Sequence, residues 1–174
     1  MYGLIAAEAA IFTIFVVAYI FYVGKSVTGP QPRDVLHVPI FLTICLLSSS
    51  LTIHFASRLL KTGRVRYFAI CWLLTIVLGA VFLAGTVREW RHLIYDEGLT
   101  IQTNLFGTTY YSLVGLHGFH VMIGLLALAT VLLFTLRGDV GRQHAERIEV
   151  LSMYWHFVDV VWVVVFIVVY IVGR

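Results

Sequence analysis

The chain has 174 residues, of which 60% are apolar and 12% charged, and its formal net charge is +3. Soluble domains carry about 25% charged residues, so this composition excludes an ordinary soluble domain. With a mean hydropathy of +0.94, it predicts an integral membrane protein instead. No segment contains a run of five or six like charges, which argues against a nucleic-acid partner.

Five apolar stretches follow one another along the chain, each long enough to cross a bilayer as a helix. A β-barrel is excluded because runs such as residues 160–169 are apolar throughout instead of alternating. Polar segments with glycine or proline separate the stretches at 29–32, 61–64 and 137–142. The sequence therefore predicts an all-α fold, a single domain of five transmembrane helices over about residues 3–23, 36–58, 67–87, 108–136 and 149–172.

Lysine and arginine are divided unevenly between the two membrane faces that this topology defines. Seven lie on the face shared by the N-terminus and the second and fourth loops, and five, including Arg174, lie on the other. Four of the seven fall in or beside one short loop, where the rule that basic loops stay in the cytoplasm is most reliable. The N-terminus is therefore predicted to be cytoplasmic and the C-terminus outside.

Six ionisable side chains fall inside the predicted helices and away from their ends, where a charged group costs free energy and marks a candidate functional site. Glu8 and His54 are both expected roughly 8 Å from the cytoplasmic side, at a rise of about 1.5 Å per residue. They are predicted to pair if their helices are neighbours, as a short connection favours. The six residues are Glu8, His54, His117, His120, His156 and Asp159.

Two couples of these residues have the spacing of one helix face. His117 and His120 are three residues apart, as are His156 and Asp159. Three interpretations compete: a metal or haem site between facing helices, a proton relay, and an interhelical hydrogen-bond network worth about 1 kcal/mol or less per bond. The residues favour the network over the relay, and the metal site is the weakest of the three because no second pair of ligands has a firm spacing.

Small and aromatic residues near these histidines point to helix packing. Gly115 and Gly118 would let another backbone approach closely, as small residues do in lipid, and the serines at 48–50 offer the same to the second helix. Trp155 and Trp162 are seven residues apart on one face of the last helix. They are interpreted as packing residues, since a tryptophan at such spacing more often packs than supports a cofactor.

Two segments carry a resemblance to a known family. YWHFVDVVW at residues 154–162 resembles the last-helix signature WYWHFVDVVW of subunit III of the haem-copper terminal oxidases, the cytochrome c and quinol oxidases. GLHGFHVMIG at 115–124 is similar to that family's GFHGLHVIIG. Weaker similarity at 88–90, 46–54 and Glu8 extends the register over essentially the whole chain. The chain looks like a five-helix form that lacks the first two helices of the longer members, and with them one wall of a cleft that holds phospholipids.

The resemblance implies an accessory subunit that supports proton uptake into subunit I and protects its catalytic centre. It implies no metal and no redox cofactor in this chain, with haems and copper in partner subunits and phospholipid as a ligand. The implied partners are subunit I directly, subunit II, further small subunits and membrane lipids, and the implied location is the bacterial cytoplasmic membrane.

The same resemblance assigns roles to individual residues. Glu8 aligns with a membrane carboxylate of the family that reacts with carbodiimide, and it joins His54 and Glu89 as candidates for proton uptake or lipid association. His117, His120, His156 and Asp159 are assigned to a structural polar network. Two other classes remain as alternatives: a similar accessory protein of a nitric oxide reductase, and a stand-alone transporter or haem-carrying membrane protein.

Overall fold

The computed structural model describes residues 2–25, 32–36 and 38–173, and these contain helices and no strand, which confirms the all-α prediction. A 3₁₀ turn, Arg142–His144, precedes the last α-helix, and a π-helical segment, Ile167–Val172, extends it. Residues 29–31 of the predicted first break, and Arg174, lie outside the described residues. The α-helices are α1 (Tyr2–Tyr22), α2 (Pro32–Val35), α3 (Ile40–Lys61), α4 (Val65–Tyr95), α5 (Leu105–Arg137) and α6 (Ala145–Phe166).

Five helical segments of the described chain are long and apolar enough to cross a membrane, which confirms the prediction of five transmembrane helices. They are α1, α3, α4, α5 and the run Arg142–Val172 that contains α6. The orientation of the termini and the single-domain organisation stay predictions.

The helix ends differ from the predicted ones where polar residues or proline decide them. α3 begins at Ile40 and not near residue 36, because Pro39 restricts the preceding residue to extended backbone. α4 continues to Tyr95, eight residues beyond the predicted end at 87, because polar side chains after that point remain compatible with helical backbone. Gly63 and Gly138 end α3 and α5 with left-handed φ values of +78° and +87°, which glycine adopts without strain.

Contacts along the backbone group the chain into two compact units. The first comprises Met1–Pro39, Gly85–Phe119 and Val160–Arg174, and the second comprises Ile40–Ala84 and His120–Asp159. The first unit has a core of large aromatic side chains, in which Tyr19 and Phe106 pack edge to face at 6.4 Å between ring centroids.

Hydrogen bonds between side chains and neighbouring helices join the elements of the second unit. The buried indole of Trp72 on α4 donates to the Leu128 carbonyl of α5 at 2.9 Å. The hydroxyls of Thr52 on α3 and Thr75 on α4 are 2.7 Å apart. Such bonds hold helices together in lipid, where apolar contacts alone give little preference for one helix over the surrounding chains.

Candidate functional site

Trp155 is the centre of the packing around α6 in the second unit. Its side chain is fully buried, and its Nε1–H donates to the Ser49 hydroxyl of α3 at 2.8 Å. Ser49 in turn donates to the Leu46 carbonyl at 2.6 Å. Two glycines make room for the ring, since a Cβ at Gly79 or Gly124 would come within 2.9 Å of the indole. The signature segment of the last helix therefore fixes α6 against α3, α4 and α5.

His156, the next residue, turns to a different partner on α3. Its Nδ1 lies 2.7 Å from the Ser50 hydroxyl, and its ring is half-buried. The ring centroid of His54 is 6.3 Å away, and the exposed His54 side chain lies with His156 on the wall of one cavity. The structure thus brings together two histidines that the sequence analysis assigned to different roles.

Asp159 is 97% buried on α6, since only 3% of its surface is exposed. Neither carboxylate oxygen accepts a hydrogen bond of good geometry from the described residues. The Ser50 hydroxyl is near the carboxylate, but the geometry is not that of a hydrogen bond. Ser50 therefore stands between His156 and Asp159, a serine that the sequence analysis interpreted only as a small packing residue.

Replacing Asp159 with asparagine is expected to impair assembly more than turnover. The amide has nearly the same shape, but it brings two N–H donors into a buried site beside the single Ser50 hydroxyl, which also bonds His156, so at least one donor is left unsatisfied. The yield of assembled complex should fall while turnover per assembled complex stays unchanged, and Asp139→Asn, at an exposed residue after α5, is the control. Normal assembly with lost proton pumping would contradict the structural role.

His120 and His117 are both buried on α5 but belong to different units. In the second unit, the Tyr154 hydroxyl donates to the main-chain carbonyl of His120 at 3.2 Å, which joins α6 to α5. In the first unit, His117 stacks on Trp162 with centroids 5.0 Å apart and planes 31° apart. The assignment of these residues to one structural network stays a prediction, as does the pairing of Glu8 in the first unit with His54 in the second.

The predicted packing glycines lie on the first-unit part of α5. A Cβ at Gly115 would lie 3.2 Å from Cη2 of Trp90, so a larger residue would press on the indole. Gly118 is half-buried on the same helix. Close approach is thus evident at Gly115. That Gly115, Gly118, Trp155 and Trp162 all serve helix packing stays a prediction.

Glu89 is the acceptor of a polar cluster in the first unit. Its Oε1 accepts from the Tyr170 hydroxyl at 3.0 Å and from the Tyr110 hydroxyl at 3.5 Å, and the two hydroxyls are 3.4 Å apart. Glu89 was a candidate from the sequence, but neither tyrosine was. The five-helix topology could have suggested this cluster, because it places the end of α4, the start of α5 and the end of α6 on the same side of the membrane.

Among the residues that the structure describes, no three histidine, cysteine, aspartate or glutamate side chains are arranged to hold a metal ion. The polar groups instead contact hydroxyls, indoles and main-chain carbonyls. Apolar helices long enough to cross a bilayer, with buried polar contacts between them, define a polytopic helical membrane protein. The particular family follows from comparison with known proteins.

The family model described as cytochrome c oxidase subunit III matches residues 6–174. The chain therefore belongs to the cytochrome c oxidase subunit III family, and the resemblance drawn from the two signature segments is confirmed. It is 34% identical to cytochrome c oxidase subunit 3 of Alkalihalophilus pseudofirmus, over 97% of this chain and 83% of the relative. It is 40% identical to cytochrome c oxidase subunit 3 of Corynebacterium diphtheriae, over 79% and 67%, and 34% identical to cytochrome bo(3) ubiquinol oxidase subunit 3 of Pseudomonas aeruginosa, over 96% and 80%.

Proposed function

We propose that this subunit III carries no redox centre and serves a proton-pumping terminal oxidase by binding subunit I, supporting its proton uptake and stabilising it. The observation that carries the proposal is the match to the family model, which covers residues 6–174. Relatives of similar identity are named for a cytochrome c oxidase and for a ubiquinol oxidase, so the accessory role is proposed for either kind of complex.

The exposure of the helices supports contact with partner subunits and lipid. Only 11% of the most apolar part of α1 is buried within the chain, against 50% of the segment that contains α6. Exposed apolar side chains of a membrane helix are covered by lipid tails or by another subunit. We assign subunit I as the direct partner, with subunit II and further small subunits in the same complex, haems and copper in those partners, and phospholipid around this chain.

The proposed setting is a bacterial cytoplasmic membrane with the N-terminus inside. The relatives named above are bacterial proteins, and the basic residues around the loop between α3 and α4 favour a cytoplasmic position for that loop. In this orientation Glu8 and His54 lie towards the side from which an oxidase takes up protons.

Replacing Glu8 with glutamine is expected to slow proton uptake or to shorten the active lifetime of the oxidase. Glu8 is a half-buried carboxyl on a mostly exposed apolar helix, and a glutamine of the same size cannot take up and release a proton as a carboxyl does. Turnover over many cycles and proton release from vesicles measure the effect, with Glu146→Gln, an exposed residue on α6, as the control. Unchanged activity over many cycles would make Glu8 structural only.

The identity of the complex is tested by purifying a tagged form of this chain in mild detergent and recording visible spectra of the assembly and of the isolated chain. We expect a subunit I carrying haem and copper to co-purify and the isolated chain to be colourless. A non-haem-iron reductase core in its place would overturn the proposal in favour of a nitric oxide reductase. Colour in the isolated chain would bring back His117, His120 and His156 as haem ligands.

A further inference from the structure

A polar cavity of about 280 Å³ lies in the second unit, where α3 ends and α6 begins. Its size is at the low end for small-molecule sites and suits a headgroup-sized fragment more than a whole cofactor. Its position at the ends of two membrane-spanning segments places it near the level where lipid headgroups meet water. The lining residues are His54, Ser57, Arg58, Lys61, Glu149, Ser152, Met153 and His156.

The charges on the cavity wall leave one cation without a counter-ion. Lys61 Nζ forms an ion pair with Glu149 at 2.7 Å, so the one carboxylate of the wall is already neutralised. Arg58 lies one turn earlier on the same helix and has no ion pair or hydrogen bond with the described residues. A guanidinium presents several N–H donors in a planar fork that matches the oxygens of a phosphate.

Uncharged side chains on the same wall can also donate hydrogen bonds to a ligand. The Ser152 hydroxyl lies on the cavity wall and forms no hydrogen bond with another described residue, so it is available to a group in the cavity. His156 uses Nδ1 towards Ser50, which leaves Nε2 on the opposite edge of its ring, and no described residue bonds the imidazole of His54.

We propose that this cavity binds a phosphate group, with the Arg58 guanidinium as the main contact and the Ser152 hydroxyl and the two imidazoles as further donors. The phosphodiester of an anionic phospholipid and free phosphate from the aqueous side share this chemistry. A metal ion fits the wall less well, because its net charge without the histidines is positive. The lipid source deepens the proposed lipid-binding role and rests on it, whereas the phosphate site itself rests on the cavity.

The test compares two arginines of the same region in the intact complex. Both side chains are exposed, but Arg58 lines the cavity, whereas Arg64, in the loop after α3, does not. Delipidated complexes carrying Arg58→Gln or Arg64→Gln are titrated with inorganic phosphate alone, and with nanodiscs of phosphatidylglycerol or of phosphatidylcholine, and binding is read by native mass spectrometry and phosphorus NMR. Arg58→Gln should weaken binding by about tenfold or more, the effect of losing a charge-assisted hydrogen bond, and Arg64→Gln should not.

The arms of the experiment separate the two ligand sources. Retention of phosphatidylglycerol that inorganic phosphate does not displace identifies a lipid, and saturable binding of inorganic phosphate identifies the free ion. Ser152→Ala gives a second test that changes no charge, and it should weaken the same binding even if Arg58→Gln fails to assemble. Equal losses in Arg58→Gln and Arg64→Gln, or no binding by the wild-type complex, would overturn the site.

Failure of the site is distinguishable from failure of the proposed function. A wild-type complex that binds neither probe but still contains subunit I and reduces oxygen would remove the phosphate site and leave the accessory role. A chain that binds phosphate through Arg58 but purifies without any oxidase subunit would remove the accessory role and leave the phosphate site.

Discussion

Replacing Gly124 with valine is expected to destabilise the second unit by about 1–3 kcal/mol, the usual cost of forcing extra methyl groups into a packed core. A Cβ at Gly124 would lie 2.8 Å from Cζ3 and 2.9 Å from Cε3 of Trp155. The ring cannot retreat freely, because Gly79 of α4 touches its other edge and the Nε1–H is bonded to Ser49. Thermal unfolding of the purified chain in detergent, followed by circular dichroism, measures the loss.

Gly3→Val is the matched control for this substitution. Gly3 also lies in a membrane-spanning helix, but a Cβ there meets nothing within 4 Å. Trp155→Phe in a Gly124→Ala background should recover part of the stability lost by Gly124→Ala alone, because the smaller ring leaves room for the added Cβ at residue 124. Equal unfolding temperatures for Gly124→Val and Gly3→Val would show that the indole adapts and that α6 is not fixed in this way.

The five spans were predictable because membrane solvation imposes a long continuous apolar run on each helix, and hydropathy detects such a run directly. The end of α4 was not predictable in the same way. Hydropathy drops at Arg88, so a helix end was predicted at 87, but the helix continues to Tyr95. The π-helical segment Ile167–Val172 was also missed, since a change of hydrogen-bond register leaves composition unchanged.

The sequence predicts how deep an intramembrane polar residue lies in the membrane, but it does not predict how its helix is rotated and therefore which partner it meets. Residue spacing placed His156 and Asp159 on one face of α6, but it did not say which helix that face meets. Which neighbour meets them depends on the rotation of each helix about its axis, and this is set by bulky side chains such as Trp155. Ser50 was therefore overlooked as the link between the two residues, and its 2.7 Å contact with His156 became evident only in the fold.

Replacing Glu89 with leucine is expected to destabilise the first unit by about 1–3 kcal/mol, the cost of leaving a buried hydroxyl without its acceptor. Tyr110 and Tyr170 are 0% and 2% exposed, and Glu89 Oε1 accepts from both. Without it, the two hydroxyls have only each other as acceptors among the residues that the structure describes, at 3.4 Å, so one O–H is left without an acceptor. Glu89→Gln should cost less, because the amide oxygen still accepts. Chemical unfolding in detergent compares the variants.

Removing the whole cluster should be milder than removing its acceptor. The triple variant Glu89→Leu, Tyr110→Phe, Tyr170→Phe removes the acceptor and both of the hydroxyls that it binds, and exchanging all partners for apolar groups of similar shape is often nearly neutral. Its stability should therefore exceed that of Glu89→Leu alone, and Glu97→Leu, at an exposed residue beyond α4, should leave the wild-type value unchanged. If the triple variant is as unstable as Glu89→Leu, then Glu89 stabilises the unit through its packing or its charge and not through its hydrogen bonds with the tyrosine hydroxyls.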